Sequence, residues 1–436
     1  MKENIALKTF VGWAVMLVLI FIPVIIWLVI APISFRFSSV LLGLRSLSQI
    51  MALLGMSLMS VSLILSARLK LLGPWLGGLN KMYTVHHIVG GFAFIALLFH
   101  PAFSALTLIS FSAVEVIKFL LPTTDPAILT GQLSLFILTA LLFVTLYVKL
   151  PYEWWRRTHT FLGIPLLFAG AHVILINSDV SNSLVLKVYL LALAFVGVIL
   201  YTYRTVFGRW LVRKSKYTIT EVNQLSDRVV DLIMEPAKDA LMFTPGQYAF
   251  LSFPKVTGHF ETHPFSFSGV PQKNGELRFT IKSLGNFTGS LTSFEVGTEV
   301  LVEGPFGVFT SAIRKTDKQV WIGGGVGITP FLSMASDLND CSSTDLIYAC
   351  KNATEVVREE ELRQIEKTNK NFRLHMHFSD DSGYLNIEVV KQYNADLQNT
   401  DFFVCGPPPL MHSITAQLIE AGVKKSHIHS EEFSLP

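Results

Sequence analysis

The sequence predicts an α-helical membrane bundle of six transmembrane helices, followed by a cytoplasmic antiparallel β-barrel and an α/β nucleotide-binding domain. Three observations carry this: a first half built of long apolar stretches, short alternating segments from Tyr217 onward, and a glycine-rich turn at Gly323–Pro330 behind an apolar strand. Composition places the boundaries at 1–210 for the membrane domain, 211–315 for the barrel and 316–436 for the nucleotide-binding domain.

Stretches near 10–31, 39–66, 83–108, 130–150, 158–177 and 184–206 are each long enough to span a bilayer, whose hydrocarbon is about 30 Å thick. Lys2 and Lys8 precede the first, Arg68, Lys70 and Lys81 follow the second, Lys149, Arg156 and Arg157 follow the fourth, and Arg204, Arg209, Arg213, Lys214 and Lys216 follow the sixth. The opposite loops carry Arg36, Lys118 and few others, which puts both termini in the cytoplasm of a multi-pass cell-membrane protein. The N-terminal stretch lacks a small-residue cleavage site and reads as a retained span. No arginine- and lysine-rich run with interleaved aromatics marks a nucleic-acid binder, and the net charge of +3 says little about partners. Cys341, Cys350 and Cys405 all lie in the second half, which argues against a secreted disulfide framework.

Spans three and five carry the chemistry of the first half. His86 and His100 are 14 residues apart and His159 and His172 are 13 apart, so each pair covers roughly 20 Å along its helix. Two stacked bis-histidine haems fit that geometry: His86 with His159 on the cytoplasmic side, His100 with His172 on the outer side. Any one of these histidines alone also reads as a packing residue. Fourteen residues fall about 40° short of four helical turns, so His86 and His100 share a face, whereas thirteen leave an offset of about 140°. Pro165, between His159 and His172, offers a route to the missing rotation. His87 is out of phase with His100 and reads as packing. Arg45 is either a snorkelling side chain or a partner for a haem propionate. No haem-attaching cysteine motif is present, so the haems would be of b type.

The second half begins with strand-like YTITEV, RVVDLIM and YAFLSF. Within and after them come Phe243-Thr-Pro-Gly-Gln-Tyr248, His263-Pro-Phe-Ser266 and Ile281-Lys-Ser-Leu-Gly-Asn-Phe-Thr288. This order resembles the flavin domain of the ferredoxin-NADP reductase superfamily. The resemblance implies that Phe243, Pro245, Gln247, Tyr248, His263, Pro264, Phe265 and Ser266 flank the FAD isoalloxazine, with the Ser266 hydroxyl near its reactive nitrogen. Ile281, Lys282, Gly285 and Thr288 would hold the pyrophosphate. Many members carry arginine where this chain has His263; the His-Pro-Phe-Ser form is similar to transmembrane NADPH oxidases and ferric reductases, and Lys282 would supply part of the missing positive charge.

In the last third, Gly324, Gly325, Gly327, Thr329 and Pro330 form a turn that lets a dinucleotide pyrophosphate approach backbone N–H groups. It is joined by Gly304-Pro-Phe-Gly307 and Cys405-Gly-Pro-Pro-Pro409. Read by themselves, Cys405 is a small buried hydrophobe and the prolines a rigid turn; the resemblance implies that Cys405, Gly406 and Pro407 line the nicotinamide, with Cys405 near its hydride-donating carbon. His429-Ser-Glu-Glu-Phe433 is similar to the family's ending, which makes Phe433 the ring that covers the flavin and Glu431 its polar partner, although Phe433 also reads as a core residue. Lys351 and Arg358, after the strand DLIYAC, are either a clamp for the 2′-phosphate of NADPH or a solvated pair beside Glu359, Glu360 and Glu361.

Taken together the chain resembles the minimal, bacterial form of the NADPH oxidase family, with a ferric-reductase-type membrane half. That resemblance implies two haem b groups, FAD and NADPH, with NADH also used, and flavin as the converter between two-electron and one-electron chemistry. The outer loop near 109–129 is short for a folded chelate-binding domain, which favours a small diffusible acceptor: dioxygen, with superoxide as product, ahead of a ferric chelate. Delivery to a quinone or an extracytoplasmic partner protein is a third reading, on which the absence of an obvious docking domain does not bear. No obligatory protein partner is expected beyond the lipid bilayer. A transporter with a redox-sensing soluble half is the reading from another class; it requires neither paired haem absorption nor NADPH-driven haem reduction.

Overall fold

The computed structural model describes residues 2–254, 262–283, 294–338 and 342–431. The chain divides into two compact units, one from Lys8 to Val212 and the other essentially from Arg213 onward.

In the first unit the described residues contain six apolar helical stretches long enough to cross a membrane: Leu7–Ile30, Val40–Ser66, Leu79–Ile109, Pro126–Tyr147, Trp154–Leu175 and Leu184–Thr205. The helices that supply them are α1 (Lys2–Ile30), α2 (Val40–Ser66), α3 (Leu79–Ile109), α4 (Pro126–Tyr147), α5 (Tyr152–Thr160) with α6 (Ile164–Leu175), and α7 (Leu184–Thr205). Phe92, Phe99, Phe136 and Phe143 point outward, as they do on a lipid-facing surface. Helix α2 instead buries serines on two opposite sides: Ser48 and Ser62 toward α3, and Ser46, Ser57 and Ser60 on the other. Small residues let its neighbours close on it: a Cβ on Gly55 would lie 2.7 Å from Leu97 of α3, and one on Gly197 of α7 would lie 3.0 Å from the Ser60 carbonyl oxygen. Arg36, between the first two spans, is buried, ion-paired to Asp179 at 2.7 Å and stacked 3.5 Å over the ring of Trp27. The partners offset what an unpaired buried cation would cost.

The fifth span is broken. A 3₁₀ turn at Phe161–Gly163 separates α5 from α6, whose first turn holds Pro165. Three residues wound at about 120° instead of about 100° advance the helical phase by roughly 60°. That recovers a little under half of the about 140° by which His159 and His172 are out of phase in an ideal helix.

The second unit holds two sheets. Strands β1 (Ser215–Ser226), β2 (Val229–Pro236), β3 (Tyr248–Ser252), β4 (His263–Ser266), β5 (Leu277–Lys282) and β6 (Glu299–Phe306) form a six-stranded sheet in the order β4-β3-β6-β1-β2-β5, with every pairing antiparallel. Beyond β4 the chain reaches β5, where Ser268 N donates to the Arg278 carbonyl at 2.9 Å. The core of this sheet includes Tyr217, Phe253, Phe267, Phe279 and Phe294. Strands β7 (Lys318–Gly324), β8 (Ser343–Cys350), β9 (Phe372–Phe378), β10 (Thr400–Cys405) and β11 (Ile428–Ser430) form a parallel sheet in the order β11-β10-β7-β8-β9 around Trp321, Phe331 and Phe403. Helices α8 (Thr329–Ala335), α9 (Glu359–Thr368) and α10 (Pro408–Glu420) lie in its connections.

Asp401 at the foot of β10 fixes the last strand. Burial works against its charge, yet His429 Nε2 at 2.9 Å and the Lys315 and Thr316 amides at 2.6 Å hold the carboxylate below its usual range. This anchor brings the chain after β11 alongside the end of β10, with Glu431 N close to the Val404 carbonyl at 3.4 Å.

Candidate functional site

In the membrane unit four imidazoles form two facing pairs. The ring centres of His86 and His159 are 6.1 Å apart and those of His100 and His172 are 6.3 Å apart. His86 Nδ1 meets the Ser62 carbonyl and hydroxyl, both at 2.9 Å. His100 Nδ1 meets the Ser48 carbonyl at 3.0 Å and its hydroxyl at 2.9 Å, and His172 Nδ1 meets the Ala127 carbonyl at 2.6 Å. A ring whose Nδ1–H faces a carbonyl presents an unprotonated Nε2. His159 differs: its Nδ1 has no hydrogen-bond partner among the described residues, and its ring stacks on Trp155 at 5.1 Å. Gly131 makes room for His172, since a Cβ there would come within 3.0 Å of Nδ1. Arg45 is exposed one turn before Ser48, and His87 is exposed. Ser48 and Ser62 were not singled out from the sequence, although their 14-residue spacing repeats that of His86 and His100. Among the described residues no group of three or more histidine, cysteine, aspartate or glutamate side chains gathers as for a metal ion.

In the soluble unit the separated motifs converge. Antiparallel pairing sets Tyr248 opposite both Ser266 on β4 and Phe306 on β6, at the start of Gly304–Gly307's final turn. Gln247 braces this corner by accepting from Thr244 N at 2.8 Å and donating to the Gly307 carbonyl at 3.0 Å. Ser266 is buried and its hydroxyl has no hydrogen-bond partner among the described residues. Pro264 and Phe265 beside it are half-exposed, as is His263. Phe243 stacks on Phe267 with ring centres 3.9 Å apart, so that face of its ring belongs to the sheet core. Pro245 is buried next to Gly246, whose φ of +93° and whose amide, donating to Ser333 Oγ at 2.9 Å, tie this turn to α8. Ile281 is buried on β5, and Lys282 Nζ lies 3.9 Å from Glu355. Gly285, Thr288 and Phe433 lie outside the described residues.

The two glycine-containing loops of the parallel sheet touch backbone to backbone. Register places Cys405 opposite Gly323, and a Cβ on Gly327 would lie 2.5 Å from the Cys405 carbonyl oxygen and 2.6 Å from Gly406 Cα. A Cβ on Gly324 would meet Pro407 at 2.9 Å. Gly325 has φ +52°, and Thr329 with Pro330 opens α8. Cys405 is buried, and burial together with Glu431 pushes its thiol well above the usual range. Gly307, at φ +97°, leaves space where a Cβ would approach the Tyr248 ring at 3.1 Å and a Glu431 carboxyl oxygen at 3.4 Å. Cys405, Tyr248 and Glu431 thus border one corner of the unit. Arg358, also at positive φ, pairs through its guanidinium with the fully buried Asp231 and lies 3.8 Å from Glu361, while Lys351 is exposed.

Burial raises the Glu431 carboxyl from 4.5 to about 8, against an opposing hydrogen bond from the Phe309 amide. A carboxyl that is a weaker acid folded than unfolded binds its proton more tightly in the fold, so its contribution to stability falls as pH rises through that interval. Glu431→Gln is therefore expected to flatten the loss of stability between pH 4.5 and 8, measured by thermal unfolding across the interval. An unchanged pH profile would place the ionisation elsewhere.

Three family models match the chain: "Ferric reductase like transmembrane component" over residues 51–170, "FAD-binding domain" over 214–310 and "Oxidoreductase NAD-binding domain" over 321–416. The chain is 28% identical over 240 residues to the reductase component of propane 2-monooxygenase from Mycolicibacterium goodii, covering 50% of this chain and 68% of that one. It is 30% identical over 229 residues to the toluate 1,2-dioxygenase electron transfer component from Pseudomonas putida, covering 50% and 66%. The chain thus spans about two thirds of the length of these relatives. A flavohemoglobin structure from Malassezia yamatoensis shares the fold at a TM-score of 0.51 and 18% identity, over 91% of this chain and 99% of that one. These relatives correct one expectation. They are named as reductase and electron-transfer components of oxygenases, parts of systems with a separate partner, which overturns the reading that no obligatory protein partner is needed.

Proposed function

Because the chain belongs to the NADPH-oxidase/ferric-reductase family, in which a ferric-reductase-like transmembrane domain is fused to FAD- and NAD-binding domains, we propose that it moves electrons from cytoplasmic NADPH to a separate acceptor outside the membrane. It is a transmembrane FAD- and NAD(P)H-dependent oxidoreductase. The basic loops at the ends of spans two, four and six support a cytoplasmic position for both termini.

The observation that carries the proposal is the pair of facing imidazoles at two depths. Two nitrogens each about 2.0 Å from a shared metal, with ring centres roughly 1.1 Å behind them, would put the centres about 6.2 Å apart; the separations of 6.1 and 6.3 Å support one iron held between each pair. His86 and His159 would hold the inner haem b, His100 and His172 the outer, and Arg45, exposed one turn from Ser48, would partner a propionate. FAD, when bound, would supply the conversion of a hydride into single electrons, and the haems would supply one-electron relay. The orphaned Ser266 hydroxyl supports a flavin at the β3–β4 corner, where Tyr248 and Gly307 shape the wall. Burial that raises the Glu431 carboxyl would favour its protonated form near Cys405.

The acceptor we favour is a partner protein or quinone, with a ferric chelate as the second reading, because the relatives are named for electron delivery within larger systems. Superoxide would form where dioxygen reaches the outer end before that acceptor. Parallel assays with a quinone, a ferric chelate and superoxide dismutase-sensitive oxygen reduction test this: superoxide accounting for all NADPH consumed, even with the other acceptors present, would restore the oxidase reading.

NADPH preference would rest on Lys351. Lys351→Ala is expected to raise KM for NADPH while leaving NADH unchanged. Arg358→Ala strands the buried Asp231 carboxylate and is expected to lower stability by on the order of 3 kcal/mol, reducing use of both cofactors alike. Specificity constants for each variant decide between the two roles, and a selective loss of NADPH in Arg358→Ala would make that arginine the clamp.

A further inference from the structure

Serines inside apolar helices ordinarily return their hydroxyl to a carbonyl one turn back on their own helix. Ser57 and Ser60 of α2 do this, to Leu53 and Met56 at 2.8 Å each. Ser48 and Ser62 do not. The Ser48 hydroxyl reaches α3, donating to the His100 carbonyl at 2.9 Å and lying 2.9 Å from His100 Nδ1, with Ser104 Oγ at 2.7 Å. The Ser62 hydroxyl lies 2.9 Å from His86 Nδ1 and 3.5 Å from the His86 carbonyl. Each serine also turns its own carbonyl toward the same Nδ1, at 3.0 and 2.9 Å.

The arrangement repeats because the register does. Helices α2 and α3 run antiparallel, and the serines, like the histidines, are 14 residues apart, so one contact geometry recurs at two depths. The opposing ligands are held differently: among the described residues His172 meets the Ala127 carbonyl, and His159 Nδ1 meets no acceptor. A serine that gives up its local bond to bring two oxygens to one Nδ1 increases the electron density at Nε2, and that favours the more oxidised state of a bound metal.

We propose that Ser48 and Ser62 are positioning residues that set the reduction potentials of the outer and inner haem separately, each through the one histidine it holds. The proposal rests on the bis-histidine reading given above. Each hydroxyl lowers the potential of its own site, and neither reaches the other site.

Redox titration of the haem-loaded, full-length protein tests this. Ser48→Ala is expected to raise the midpoint of one haem and Ser62→Ala that of the other, with haem content unchanged. Ser→Thr at each position, which keeps the hydroxyl, should restore the original value. Ser→Cys, close in size but a weaker acceptor, should shift the same midpoint less, and it serves as the readout if an alanine variant loses haem. Midpoints that stay fixed in both the alanine and cysteine variants, or that move together at both sites, overturn the proposal while leaving the haems in place. A wild-type protein that binds no haem overturns the bis-histidine reading and this proposal with it.

Discussion

His100→Ala is expected to abolish reduction of every external acceptor and to remove one of two haem absorptions, while NADPH still reduces the flavin. The imidazole at 100 is held by both oxygens of Ser48 and faces His172 at 6.3 Å between ring centres. Alanine at that position leaves the pair with one nitrogen, and a low-spin bis-imidazole site cannot be completed from one side. His172→Ala should behave in the same way, although its ring is anchored to a different helix through the Ala127 carbonyl. Haem content per protein and turnover with an external acceptor check both variants; full haem content and full turnover in each would show that these are packing histidines.

The second large effect is expected at Gly327. Its missing side chain is what allows the turn after β7 to lie against Cys405 and Gly406, and a Cβ would fall within 2.5 Å of backbone there. Gly327→Val must therefore push the two nucleotide loops apart. Misplacement of reacting groups by about 1 Å can cost on the order of a hundredfold in rate, and NADPH-driven flavin reduction is expected to fall by at least that much. Chemical reduction of the flavin and the histidine-bound groups should be unaffected, because the change is confined to the parallel sheet. Stopped-flow flavin bleaching with NADPH and with dithionite separates the two, and equal rates for wild type and variant with NADPH would show that the loops do not form the nicotinamide site.

The membrane half was legible because a bilayer imposes simple rules: spans must be long and apolar, and an ionisable residue within one stands out. The four histidines stood out by that contrast, and their facing in pairs draws part of the needed rotation from the 3₁₀ turn at Phe161–Gly163 just before Pro165. What secures them was harder to read. Ser48 and Ser62 look like ordinary small residues in a helix interface, and their partners lie 52 and 24 residues away. Only the repeated 14-residue spacing could have pointed to them.

The soluble half showed the opposite balance. Its motifs were recognisable as short strings, and the register of β3, β4 and β6 brings Tyr248, Ser266 and Phe306 together. Long-range charge pairing was not legible. Arg358 reads as either a 2′-phosphate clamp or a solvated cation beside three glutamates, but its guanidinium is engaged by Asp231, 127 residues earlier and fully buried in β2. The stacking of Phe243 on Phe267 is likewise a packing choice that a motif does not encode. The expectation about partners failed for a different reason: the lack of a recognisable docking domain is not a physical signal that no partner exists.

The most direct test of electron transfer through the membrane half is anaerobic addition of NADPH to the purified, FAD-loaded protein in a bilayer, followed by optical spectroscopy. Two low-spin b-type haems per chain are predicted, both reduced by NADPH at catalytically competent rates and both reoxidised by a membrane-impermeant acceptor on the outer face. Flavin that bleaches fully while no haem band is present, or while the haem bands stay oxidised, would contradict the account.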